Sequence, residues 1–248
     1  MVIRRIREHV TAHNWFAVGI DFLIVVAGIV IGTQVNNWNQ ARIERNQGDD
    51  YRERLIEDLR ANDRELLMRR AYYRSIQNHA EEALAALDRP ARHDDAAFLV
   101  NAYMASHSIR RHSKRFTYDE LLSTGRFGQI GDRALREQVT EYYVELDANA
   151  VLFSYVPPYR DQIRSVMPSA VQRAIRDQCG RLLTGLLRDC NLRVPPGDVA
   201  PAIAKVRSAP QIQAGLTRVI ADVDVKLELL NVLLARERLL RASVERQS

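Results

Sequence analysis

Trp15-Phe-Ala-Val-Gly-Ile-Asp21-Phe-Leu-Ile-Val-Val-Ala-Gly28-Ile-Val-Ile-Gly32-Thr-Gln-Val-Asn36-Asn37-Trp38 is the stretch that decides the fold. Between its tryptophans the run is apolar except for one acid. As a helix it matches the ~30 Å hydrocarbon core of a bilayer. Trp15 and Trp38 fall where an aromatic belt sits, with Asn36 and Asn37 as further interfacial anchors. A cleaved signal peptide ends its apolar region in a small-x-small site; Gly32 to Trp38 is a poor match to that pattern. The stretch therefore predicts an uncleaved transmembrane anchor over 15–38, with a short basic tail at 1–14 and a helical extracytoplasmic domain over 39–248. The lipid bilayer is the first expected partner.

After the anchor, the 248-residue chain has room for one sizeable domain or two small ones, and it holds no second spanning run. Lys and Arg number 36 against 31 acids, a net charge of +5. The two signs interleave, which fits a solvated mixed-charge surface better than a nucleic-acid face. Arg4, Arg5 and Arg7 before the span nearly balance Arg42, Arg45, Arg52 and Arg54 after it, so charge alone does not orient it. The two cysteines, Cys179 and Cys190, would lie ~16 Å apart on one unbroken helix, too far to bond. Gly180, Gly185 and Asn191 permit a turn that closes the gap. The pair is expected to form a disulfide, two free thiols being the alternative, and a lone close pair fits an oxidising compartment. That orients the N-terminus inside and the domain outside.

The remainder reads as helices. Leu55, Leu59, Asn62, Leu66, Tyr73, Ile76, Ala80, Leu84 and Leu87 repeat at three, four and seven, a bundle stripe or coiled-coil seam that Asn62 and Arg69 interrupt. Asp88-Arg89-Pro90 ends that helix. A second helix starts at Asp94 or Asp95 and runs to about Ser106. After the basic loop 110–115, Thr117-Tyr118-Asp119-Glu120 reads as a capping box, and Gly125 as a helix stop. Asp132 caps a helix that Pro157-Pro158 breaks. Another covers about Pro168 to Leu187. Pro195-Pro196-Gly197 reads as a loop, and Ser208-Ala209-Pro210-Gln211 as a second capping box before a long last helix. Its stripe is Leu216, Ile220, Val223, Leu227, Leu230 and Leu234. The expected fold is all-α: an N-terminal transmembrane helix, then a helical bundle with long, partly coiled-coil-like helices.

Gly32-Thr33-Gln34-Val35-Asn36-Asn37-Trp38-Asn39 resembles the hallmark of an uncharacterised bacterial family of small single-pass membrane proteins. Their anchors end in Leu-Gln-Ile-Asn-Asn-Trp-Asn and carry an early acid. Thr117 to Gly125, Leu135-Arg136 and Tyr142-Tyr143 are similar to a second block of that family. This chain differs in having Asp21 where Glu is frequent. The resemblance implies a bacterial inner-membrane location and brings no activity, substrate or cofactor.

At ~100° per residue, Asp21, Gly28, Gly32 and Asn39 share one helix face. Gly28-x-x-x-Gly32 is a small-residue packing signature, so this is the expected membrane packing face of a homo-oligomer. The bland reading leaves Asp21 near the interface, reaching water through local defects. Arg110, Arg111, Lys114 and Arg115 form a candidate anion-binding loop; a solvated charge run, dispensable for folding, fits them better. His107 and His112 lack a third ligand at metal spacing. Gly125, Gly128 and Gly131 lack the Gly-Lys-Ser/Thr ending of a phosphate loop, and no nucleophile elbow or His-Glu-x-x-His is present. No catalytic, cofactor or metal residue is therefore assigned. The expected role is an oligomerisation module or one that holds a membrane or periplasmic protein. A ligand-sensing receptor subunit, or an ion-coupled accessory subunit using Asp21, are the alternatives.

Overall fold

A computed structural model of the chain describes residues 15–89, 95–179, 190, 192, 193 and 196–247, with the backbone alone at 15–17, 95 and 196. Among the described residues the protein is all-α. The helices are α1 (Trp15–Asp88), α2 (Asp95–Met104), α3 (Phe116–Ser123), α4 (Arg133–Ser154), α5 (Tyr159–Val166), α6 (Ser169–Gln178), α7 (Pro196–Ser208) and α8 (Gln211–Gln247), with a 3-10 turn at Phe127–Ile130. The chain divides into two compact units, Met1–Tyr51 and Arg52–Ser248.

In the first unit, α1 is long and apolar enough to cross a membrane. From Val18 to Val35 its large side chains all stand open, Phe22 at 71 % and Leu23 at 68 % exposure. Asp21, Gly28, Gly32 and Asn36 to Asn39 are exposed too. The Asn36-Asn37-Trp38-Asn39 segment ends the apolar run without ending the helix. Trp15 begins α1; its side chain and the tail 1–14 lie outside the described residues.

The core of the second unit is an antiparallel pair made by α1 beyond Arg52 and α8. Asp63 pairs with Arg238 at 3.2 Å, and Arg70 donates to Asn231 at 3.2 Å. Gln77 donates to Asp224, and Gln213 to Asp88. In three of these rungs the positions climb by sevens on one helix and fall by sevens on the other, as a heptad register requires. The buried seam of α1 is Leu55, Leu59, Asn62, Leu66, Arg69, Tyr73, Ile76, Ala80 and Ala83. That of α8 includes Ile212, Leu216, Val219, Val223, Lys226, Leu230, Leu233, Glu237 and Leu240. Asn62 and Arg69 are thus members of the seam, not interruptions. Near the end of α1 the seam takes Ala83 and Ala86 rather than Leu84 and Leu87, which are half-buried. On α8, Val219 is buried and Ile220 half-buried.

Helix α4 lies along α8, and α5 crosses α8 at Gly215. A Cβ at Gly215 would come within 2.7 Å of the Tyr159 ring, so glycine permits this approach. Helices α2, α6 and α7 pack together beside α5. The Tyr159 hydroxyl ties α5 to α2 by donating to the Ala102 carbonyl at 2.8 Å.

Local signals fared unevenly. Asp132 caps α4 as expected, accepting from the Leu135 amide at 2.8 Å. Gly125 stops α3 with φ +68°, the Arg126 amide reaching back to the Leu121 carbonyl at 3.0 Å, a Schellman closure. Neither capping box forms. Helix α3 begins two residues earlier, at Phe116, so Thr117 lies buried inside it. Asp58 of α1 takes the cap role and accepts the Thr117 amide at 3.0 Å, while Glu120 pairs with Arg54. Ser208 belongs to α7, and its hydroxyl donates to the Lys205 carbonyl. Pro196, expected in a loop, is the first residue of α7, where its missing N–H costs nothing. Helix α5, unexpected between two proline breaks, gains from Asp161 in its first turn and Arg164 in its last. Helix α2 opens at Asp95; Asp94, Pro195 and the stretch 180–189 lie outside the described residues. Cys179 and Cys190 stand at disulfide distance, Cα to Cα 4.8 Å.

Candidate functional site

The seam of α1 explains the course of the basic loop. Asn62 gives its carboxamide to the backbone of one residue: the Lys114 amide donates to Oδ1 at 2.6 Å, and Nδ2 donates to the Lys114 carbonyl at 2.8 Å. Seven residues on, buried Arg69 donates from Nη2 to the Arg111 carbonyl at 2.8 Å. Two polar seam positions thus clamp the loop backbone against the bundle. The side chains are also engaged. Glu65 holds Arg69 at 3.0 Å and Arg111 at 3.2 Å. Arg115 donates to Asp147 of α4 at 2.6 Å and to Asp119 at 2.9 Å, and these bonds, Asp147 first, push its pKa up. Lys114 lies over the Phe116 ring, 5.2 Å from its centre. The loop is more than a solvated charge run: Arg110, Arg111 and Lys114 are exposed, but its backbone is clamped and Arg111 and Arg115 are paired with acids. Among the described residues only Arg110 and Lys114 of its four cations have no acid partner.

Between this loop and α4 is a groove of about 540 Å³. Tyr73, Tyr143 and Phe153 form its aromatic lining, Leu146, Ala150 and Val151 its aliphatic side, and Arg110, His112 and Asp147 add polar and charged groups. Its size suits a small ligand or a few side chains of a partner. Tyr73 stands 6.2 Å from Phe153, with the Arg69 guanidinium 5.7 Å over the Phe153 ring. The hydroxyls of Tyr73 and Tyr143 are buried and unpartnered. Burial pushes the Tyr73 phenol up to about 12 and the Tyr143 phenol higher still, so both stay neutral donors. Behind Tyr73, buried Lys226 of α8 sits 5.1 Å over its ring, and desolvation lowers its pKa.

The structure brings together Arg110, Arg111, Lys114 and Arg115, but as a clamped loop edge. Thr117, Tyr118, Tyr142 and Tyr143 meet in the core, where Tyr118 stacks on Tyr143 at 4.4 Å. His107 and His112 are not part of any group of three metal-binding side chains among the described residues. Sequence reading missed the groove itself, whose walls come from segments up to 85 positions apart. The one signal was the pair of polar residues in an apolar stripe, which shows that something polar covers that face.

Comparison of the chain with protein-family models, curated proteins and solved structures returns no match. The groove and the open apolar helix therefore carry the functional argument alone.

Proposed function

We propose that the protein is a single-pass inner-membrane protein whose helical module, residues 39–248, lies on the periplasmic side and serves oligomerisation or the holding of a protein partner. One observation carries this reading: every large apolar side chain from Val18 to Val35 is at least 40 % exposed. Such a surface is stable in lipid and costly in water. The disulfide-distance pair Cys179 and Cys190 supports an oxidising compartment and hence an N-terminus inside. Kinship with the single-pass family rests on the Gln34 to Asn39 motif. A second reading, a ligand-sensing subunit, is favoured by the groove beside Arg110 and its buried hydroxyls.

A periplasm-active enzyme reporter fused after Ser248 tests the topology. Activity is expected from that fusion and none from a cytoplasm-active reporter, and unreduced digests should contain Cys179 linked to Cys190. The opposite reporter pattern, or two free thiols after acid trapping, would overturn the orientation.

A further inference from the structure

Several arginines in the second unit pair with acids: Arg54 with Glu120, Arg111 with Glu65, Arg236 with Glu145, Arg238 with Asp63. Three others gather instead around neutral partners. Arg160 and Arg164, one turn apart on α5, and Arg176 on α6 converge on the end of α2. Arg160 donates to the Ser106 carbonyl at 3.4 Å, and Arg164 donates to the Ser106 hydroxyl at 3.3 Å. The Arg164 guanidinium lies 5.1 Å over the Tyr103 ring, and Arg176 donates to the Tyr103 hydroxyl at 3.1 Å. No carboxylate is within ion-pair distance of any of the three among the described residues.

Capping the C-terminal carbonyls of α2 explains only part of this, because Arg160 alone reaches a backbone carbonyl there. The other two guanidiniums bond neutral hydroxyls. Three like charges held this close repel one another; burial first, then Arg160 and Arg176, lower the pKa of Arg164, against the opposing pull of Tyr103 and Asp161. The same field reaches two neighbouring side chains. His107, edge-on to Tyr103 at 5.0 Å, is held neutral, its pKa lowered to about 3 by burial and then by Arg164. Tyr72, also within the field of Arg160 and Arg164, keeps a buried hydroxyl with no partner. The cluster is thus rich in donors, and Asp161 beside it forms no ion pair with any of the three.

We propose that Arg160, Arg164 and Arg176 form a binding site for a phosphate-type oxyanion carrying more than one negative charge. Guanidinium forks match the oxygen geometry of phosphate, and a dianion offsets what a single carboxylate would leave uncompensated. Buried Tyr103 accepts from Arg176 and so positions that guanidinium. This site goes beyond the membrane-module reading and does not depend on topology. It also differs from the basic loop, where Arg111 and Arg115 already have acids.

The test uses the full chain in a non-ionic detergent, with inorganic phosphate and dihexanoyl phosphatidic acid as probes at constant ionic strength. Phosphate is expected to raise the melting temperature where chloride does not, and to move the His107 ring resonance as its pKa rises. Arg164→Gln and Arg176→Gln should each weaken apparent phosphate affinity by at least about tenfold, with Arg133→Gln on exposed α4 as the unaffected control. Arg176 is exposed, so Arg176→Gln keeps the test open should Arg164→Gln fail to fold. A stronger response to the short-chain lipid would identify a headgroup as the source, and a stronger response to phosphate a free anion. Wild type responding to neither probe beyond chloride would overturn the site. So would variants that respond as wild type does.

Discussion

Asn62 and His107 show how single side chains set local energetics. Asn62 occupies a seam position, and both halves of its carboxamide bond the backbone N–H and C=O of Lys114. Each bond contributes on the order of 1 kcal/mol, and a lost partner orphans those two backbone groups as well. Asn62→Ala is therefore expected to lower stability by about 2–3 kcal/mol in urea unfolding. Lys114→Gln should change little, because the loop uses the backbone of Lys114. Equal effects from the two would mean that the side-chain charge holds the loop. His107 makes a pH prediction. Its folded pKa is about 3 against an ordinary 6.5, with Arg164 and Arg160 facing it and its ring nitrogen 3.2 Å from the Met104 carbonyl. Between those values the unfolded chain binds a proton that the folded chain does not. Its contribution is complete above pH 6.5 and declines as pH falls toward 3, by up to about 1.4 kcal/mol per pH unit. In phosphate-free buffer, His107→Gln should lose that part of the acid sensitivity. A wild-type-to-variant difference that stays constant from pH 7.5 to 5 would show that His107 titrates normally.

At the scale of elements, the long helices were legible because a heptad stripe needs only one helix to be seen. Leu55 to Ala80 and Leu216 to Leu230 carry their period whatever partner they meet. Short helices were less so. Thr117-x-x-Glu120 has the composition of a capping box, yet α3 is capped across space by Asp58, and Glu120 is drawn to Arg54. A cap supplied from 59 residues away leaves no local trace. Two substitutions separate the readings. Asp58→Ala should cost about 1 kcal/mol, the usual value of a lost cap. Thr117→Val, isosteric in a buried site with no side-chain bond to the helix start, should cost less. The reverse order in thermal unfolding would restore the local box.

At the scale of the whole molecule, sequence and structure contribute different halves. The apolar run of α1 is read from composition alone, since a membrane-length helix needs no tertiary partner to be recognised. The groove and the arginine cluster need the fold, because Arg69, Arg110 and Phe153, or Arg164 and Tyr103, meet only after packing. The face of Asp21, Gly28, Gly32 and Asn39 lies between these cases. Its residues are exposed, and a Cβ at Gly28 or Gly32 would meet nothing within 4 Å in a single copy. The glycines therefore answer no need within the chain. In lipid, small residues let two helix backbones approach closely enough for van der Waals packing that acyl chains do not match. The acid of a second copy's face would then be shielded from lipid. Polar contacts in membranes are often worth only ~1 kcal/mol, so Asp21→Asn should weaken association less than Gly28→Ile or Gly32→Ile. Ile24→Leu, elsewhere on the helix, should have no effect. The measurement is a spanning-segment association assay on residues 10–42. Equal signals from wild type and Gly28→Ile would assign any oligomer to the helical module, with the heptad pair of α1 and α8 already occupied by its own seam.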